Sequence, residues 1–141
     1  MKKIIIPALA IILLGLISCG RSKDQIQKDK VKKIADEVME IHDRSMAHHG
    51  DLFKQKKKLV KCYESEKDSI VLKEVQSVIL DLEKADADMM NWMHQYKVPD
   101  QTTPADEQIA YYTDQKNKIE SVETFSNSSL DHAKKLLEKC Q

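Results

Sequence analysis

The side chains with most chemistry to offer are six methionines and five histidines. Met39, His42, Met46, His49 and Phe53 recur at i, i+3, i+7, i+10 and i+14, which lays them along one face of a helix. A second cluster, Met89-Met90-Asn91-Trp92-Met93-His94, follows further along. If the chain folds back near residue 65 or 66, Met39 comes level with Trp92 and His42 with Met89, and the clusters meet. Thioether and imidazole donors suit soft copper, so the sharp expectation is a copper site drawn from Met39, His42, Met46, Met89 and Met93. The plainer expectation is preferred: methionine is an adaptable core filler, and no closed ligand set stands in the sequence. A haem held between His42 and Met93 is weaker still. Three helices leave little room for a porphyrin, and no covalent attachment motif is present.

Other reactive residue types lack partners. Ser126-Asn127-Ser128-Ser129 has only His132 nearby, which is local helix polarity rather than a triad. Asp81 and Asp88 share a face at heptad distance, yet no motif positions a second acid to work with either. No enzyme is therefore expected. His48 and His49 beside Gly50 read as solvated or flanking, a pair able to hold zinc only nonspecifically. Lys54-Gln-Lys-Lys-Lys58 is a basic strip, either a solvated helix face or a surface for anionic headgroups or polysaccharide. Trp92 and Tyr96 are expected to close the end of a bundle, with a protein-binding hot spot as the alternative.

The elements that must position these residues are helical. The chain has 141 residues, 23 basic and 23 acidic, with three glycines and three prolines, which limits it to one small domain and disfavours a sheet. A pI near 7.0 supplies no field for nucleic acid. Val31, Ile34, Val38, Ile41, Leu52 and Leu59 predict one long helix from Ile26 to about Tyr63. Ser65 or Asp68 can cap the next, whose heptad stripe runs Val71, Val75, Val78, Leu82, Ala85, Met89, Trp92 and Tyr96 until Val98-Pro99 stops it. Thr103-Pro104 restarts the chain, with Thr capping and Pro in the first turn. Ile109, Tyr112, Ile119, Leu130, Ala133, Leu137 and Cys140 mark a third helix that Ser126 to Ser129 could kink. The expected fold is all-α, an up-down-up three-helix bundle of long antiparallel helices over residues 26–141.

In such a bundle Cys62 and Cys140 reach the same end. Matched height and an even count favour a disulfide in an exported protein, worth roughly 4.5 kcal/mol in the chain-entropy model; two separate buried thiols are the alternative.

Export is written at the start. Lys2 and Lys3 precede an apolar run from Ile4 to Ile17 that is too short to span a bilayer. Leu16-Ile17-Ser18-Cys19 then resembles the lipobox of bacterial lipoproteins. The resemblance implies a signal peptide over residues 1–18, cleavage before Cys19, lipid on the Cys19 sulfur and amino group, and a short tether over residues 19–25. Two or more acyl chains hold a membrane stably where one does not. An uncleaved signal anchor is the alternative. Cleavage removes Lys2 and Lys3, leaving 21 basic against 23 acidic side chains, a formal charge of about −2. Gly20-Arg21-Ser22 lacks the aspartate that, by resemblance to proteobacterial lipoproteins, marks inner-membrane retention, so the outer membrane facing the periplasm is expected.

Two internal segments carry a further resemblance. Glu37-Val-Met-Glu-Ile-His-Asp-Arg-Ser-Met46 and Ala85-Asp-Ala-Asp-Met-Met-Asn-Trp-Met93 resemble helices of a group of small Bacteroidota lipoproteins often labelled "viral A-type inclusion protein", a label borrowed from a coiled-coil repeat. The similarity spans most of residues 35–96, and it departs at Ala47, where a proline is expected, and at His49, where a methionine is. It implies a helical lipoprotein and brings no activity, ligand or catalytic residue. The expected function is a lipid-anchored, non-enzymatic binding or structural module with an envelope protein as partner; the alternative is a soft-metal binder.

Overall fold

A computed structural model describes residues 22–140; the expected signal peptide, the expected lipidation site at Cys19 and Gln141 lie outside the described residues. Every regular element among the described residues is a helix: α1 (Lys23–Ala47), α2 (His49–Ser65), α3 (Ser69–Gln95) and α4 (Ala105–Leu137). Together they form a helical bundle. α1 begins inside the stretch expected as tether, because the Ser22 hydroxyl accepts from the Gln25 amide at 3.1 Å and so caps it.

The single helix expected from Ile26 to Tyr63 is instead one bent helix, α1 and α2, interrupted at His48. There φ is −97° and ψ −3°, and the His48 amide donates to the Ser45 carbonyl three residues back rather than four. The Ser45 hydroxyl also donates to the Ile41 carbonyl at 2.8 Å, a bond that bends helices. Ahead of the break, the Asp51 amide donates to the His48 carbonyl at 2.9 Å, so the next turn starts at once.

The interruption does not break the burial pattern. Val38, Ile41, Ser45, Leu52, Gln55, Leu59 and Cys62 are buried in steps of three, four or seven on both sides of it, a seam with a heptad period. On one flank of this seam, Glu37 meets Lys116 and Arg44 meets Glu123, both at 2.6 Å and both 79 positions apart. On the other flank, the His42 ring lies 5.7 Å from that of Trp92, His49 Nε2 lies 2.9 Å from Asp86, and Lys56 reaches Glu83 at 2.6 Å. The bent helix thus touches α4 along one edge and α3 along the other.

Two apolar clusters fill the space between. Leu52, Leu59, Val75, Val78, Leu82, Ala85, Leu130, Ala133 and Leu136 make one, and Val38, Ile41, Met89, Trp92 and Ile119 the other. Leu59, Leu82, Ile119 and Leu136 are fully enclosed, and truncating any of them to alanine removes about 2–5 kcal/mol.

The caps decide the connections. Asp68 Oδ1 accepts from the Ile70 and Val71 amides at 2.7 and 3.4 Å and starts α3. α3 ends at Gln95, three residues before the expected Val98-Pro99 stop, with the Tyr96 amide still bonded to Trp92. Pro104, not Thr103, occupies the cap position of α4; the Thr103 carbonyl accepts instead from Gln108 Nε2 at 2.7 Å, and Asp106 and Glu107 sit in the favourable first turn. The helix is not interrupted at Ser126 to Ser129. Ser128 and Ser129 both donate to the Phe125 carbonyl at 2.9 Å, as Thr113, Ser121 and Thr124 do to carbonyls four residues back, so the hydroxyls are satisfied within the helix and it runs on for 33 residues.

Cys62 at the end of the α2 seam and Cys140 beyond α4 are joined by a disulfide, with Cα atoms 5.7 Å apart and 78 positions between them. Reduction, or Cys62→Ser with Cys140→Ser, is expected to lower the unfolding free energy by up to about 4.5 kcal/mol in a denaturant titration. The helical circular dichroism without denaturant should stay, because the enclosed Leu59, Leu82, Ile119 and Leu136 remain in place.

Candidate functional site

The residues first read as chemically able gather around Trp92, where α1, α3 and α4 meet. Trp92 is buried in the cluster with Val38, Ile41, Met89 and Ile119, and Met46, Tyr96 and Val122 pack against it. His42 lies over the indole from α1, and Tyr96 lies on it from the end of α3, ring centroids 4.9 Å apart. Tyr111 and Tyr112 of α4 continue the aromatic row, Tyr111 at 6.3 Å from Tyr96 and at 5.5 Å, edge-on, from Tyr112.

This register differs from the fold-back expected near residue 65 by one helical turn: His42 faces Trp92, not Met89. The connection is the reason, since Glu66 to Asp68 are extended rather than wound into a tight reversal, Glu66 accepting from the Lys67 and Asp68 amides. The five residues of the soft-donor set divide accordingly. His42, Met46 and Met89 belong to the Trp92 neighbourhood, whereas Met39 and Met93 stand at the surface, each more than a third exposed. Among the described residues, no group of three or more histidine, cysteine, aspartate and glutamate side chains is arranged around a common point.

The electrostatics describe a closed aromatic end. His42 Nδ1 lies 2.9 Å from the Asp43 carboxylate, which requires the proton on Nδ1. Loss of solvent pushes the Tyr96 phenol up to about 12, with the neighbouring Tyr112 and Tyr111 phenols adding to it. Tyr112 is also raised, again chiefly by burial. The Tyr111 hydroxyl accepts from the Lys97 amide at 2.8 Å and so ties the α3–α4 connection to the row. The Trp92 indole N–H is buried without a hydrogen-bond partner among the described residues, a desolvation tolerated here by the ring's packing on two aromatic neighbours.

Around this end the surface is open. A shallow groove of about 390 Å³ runs between α3 and α4, lined by Asp88, Asn91, Trp92, Gln95, Asn117 and Ser121 among others. Asp88 takes Lys84 as its ion-pair partner, and Gln95 donates to Asn91 at 2.9 Å, so much of the lining is committed within the chain. The remaining histidines are similarly engaged: His94 Nδ1 is 2.9 Å from the Met90 carbonyl, His132 Nε2 is 3.5 Å from Glu74, and His48 Nδ1 is 3.9 Å from Asp51. Sequence reasoning placed Tyr112 on the α4 stripe but passed over Tyr111. The signal was there, since an adjacent tyrosine pair follows the helix restart just as Trp92 and Tyr96 precede the connection.

Comparison of the chain with protein families, curated proteins and solved structures gave no match.

The phenol of Tyr96 sets a pH dependence. Because its folded-state pKa is raised, its contribution is complete below pH 10, the unfolded value, and is lost as pH rises from 10 through about 12. Thermal melts across that window should show stability falling faster in the parent than in Tyr96→Phe.

Proposed function

We propose that this protein is a lipid-anchored, non-enzymatic helical module of the cell envelope, held by Cys19 in the outer membrane facing the periplasm, which works by presenting helical faces to another envelope component. One observation carries the reading. The side chains able to do chemistry, His42, Met46, Met89 and Trp92, are spent on packing the bundle, and charged and apolar helix surface is what remains to meet a partner. The anchor rests on the apolar run that ends at Cys19.

The bundle order proposed is up-down-up. As numbering rises from His42 through His49 to Lys56, the α3 partners fall from Trp92 through Asp86 to Glu83, as antiparallel neighbours do. Along α4 the partners of Glu37 and Arg44 rise together, as parallel neighbours do. Copper(I) binding is a second reading, favoured by the packing of Met46 and Met89 into the cluster that His42 borders.

Two measurements test these readings. Cys19→Ser should abolish incorporation of labelled fatty acid and move the protein from the membrane to the soluble fraction; retention of label would refute the anchor. His42→Ala should cost about 1–2 kcal/mol through the lost contact with Trp92, with no copper to lose. Stoichiometric copper in the parent, absent from His42→Ala by elemental analysis, would reverse the order of the two readings.

A further inference from the structure

The outward face of the bent α1–α2 helix is charged in a pattern complementary to itself. Counting away from the buried seam, the positions farthest from the bundle are Asp36, Glu40 and Asp43 on α1, Ala47 and Gly50 at the bend, and Lys54, Lys57 and Lys61 on α2. Each follows the last by three or four residues, so they form one stripe, acidic in its first half, basic in its second, with the two smallest residues between. All are exposed. Among the described residues the acids lean only on neighbours in their own helix, Lys32, Arg44 and His42. Lys54, Lys57 and Lys61 have no ion-pair partner among the described residues.

Beside this stripe runs an apolar one. Met39, Met46, Phe53 and Val60 recur every seven residues; Met39, Phe53 and Val60 are 39%, 55% and 39% exposed, and Met46 is partly buried. Apart from Met46, which also packs against the Trp92 cluster, this second apolar row is surplus to a helix that already buries one seam. Gly50 is surplus too. Its φ is not positive, and a Cβ built on it would meet nothing within 4 Å, so neither conformation nor packing inside the chain calls for glycine, which in a helix costs about 1 kcal/mol relative to alanine.

From this geometry we infer that the α1–α2 face pairs with the same face of a second copy running in the opposite direction, about a two-fold axis between His48 and His49. As numbering rises from Asp36 through Glu40 to Asp43, the opposed residues of the second copy fall from Lys61 through Lys57 to Lys54, and symmetry repeats every contact. The same register sets Met39 beside Val60 and Met46 beside Phe53 of the second copy. Ala47 and Gly50 lie at the axis, where small side chains let two backbones approach. A parallel pairing would oppose acid to acid and lysine to lysine, so the pattern excludes it. An anionic bilayer suits the lysine half but repels the acidic half, whereas a second copy satisfies both.

Exposed ion pairs are individually weak, so pairing in dilute solution is weak. Here the proposal draws on the lipid anchor: chains confined to one membrane meet at raised effective concentration, and a two-fold axis normal to the bilayer keeps both N-termini at the same height.

Gly50→Cys tests the pairing in the full lipidated chain, in phosphatidylcholine vesicles, with a short bis-maleimide; the Cys62–Cys140 disulfide leaves Cys19, occupied by lipid, and the new thiol. A cross-linked dimer is expected, and none from Asn127→Cys on the exposed side of α4. Adding Lys57→Glu should lower the yield about ten-fold, and adding Glu40→Lys to that should restore it, with circular dichroism unchanged throughout. Equal cross-linking from Asn127→Cys, indifference to Lys57→Glu, or failure of the double swap to restore the dimer overturns the pairing. So does loss of the dimer on adding phosphatidylglycerol, which would assign the lysines to lipid. Absence of cross-linking in a chain that floats with vesicles rejects the pairing and keeps the anchor; a chain that does not float rejects the anchor, and cross-linking at raised concentration in solution then decides the pairing alone.

Discussion

A single buried seam that survives a break in its own helix is the constraint on which the rest of the structure depends. Burial from Val38 to Cys62 keeps a heptad period although the backbone changes course at His48. Because the seam is continuous, its two edges are continuous as well. One edge is given to α4 through Glu37 and Arg44, the other to α3 through His42, His49 and Lys56. Had the break rotated α2 by one residue, Leu52 and Leu59 would have turned toward an edge and Phe53 and Val60 toward the core. The bend therefore changes direction without changing phase, which a single tightened turn at Ser45 to His48 can do.

The same constraint explains where the residues of high chemical potential are placed. At the Trp92 end the helices bring together imidazole, indole, three phenols and two thioethers, and nearly all of that surface is used for packing. The raised Tyr96 and Tyr112 phenols and the indole N–H, unpartnered among the described residues, are costs of desolvation. Aromatic contact area and methionine dispersion offset them.

Much of this was legible in the sequence, and the misses share a cause. The α3 stripe from Val75 to Trp92 stands as periodicity predicts, because its residues are strongly apolar and uninterrupted. The bend at His48 was not legible: the seam on either side keeps one period, and the hydrogen bond from Ser45 to the preceding turn leaves no mark in composition. The Ser126 to Ser129 run leaves α4 uninterrupted, since hydroxyls that compete with the backbone in isolation bond back within the helix once neighbouring turns are held by tertiary packing. Face-to-face register was missed by one turn because it depends on how three residues, Glu66 to Asp68, cross between helices. Periodicity says which residues turn inward; it does not say how far one helix slides along another.

The disulfide also has a mechanical consequence for a chain pulled from its two ends. Tension applied between Ser22 and Cys140 follows the shortest covalent route, through α1 and α2 to Cys62 and across the sulfurs. That route contains about 40 residues instead of nearly 120, so at roughly 3.5 Å per extended residue the greatest reach falls from about 400 Å to about 140 Å. α3 and α4 lie inside the closed loop and carry none of the load. A pull on this protein would strip the bent helix from its neighbours and then stop, leaving a slack hairpin free to zip back when the force is released.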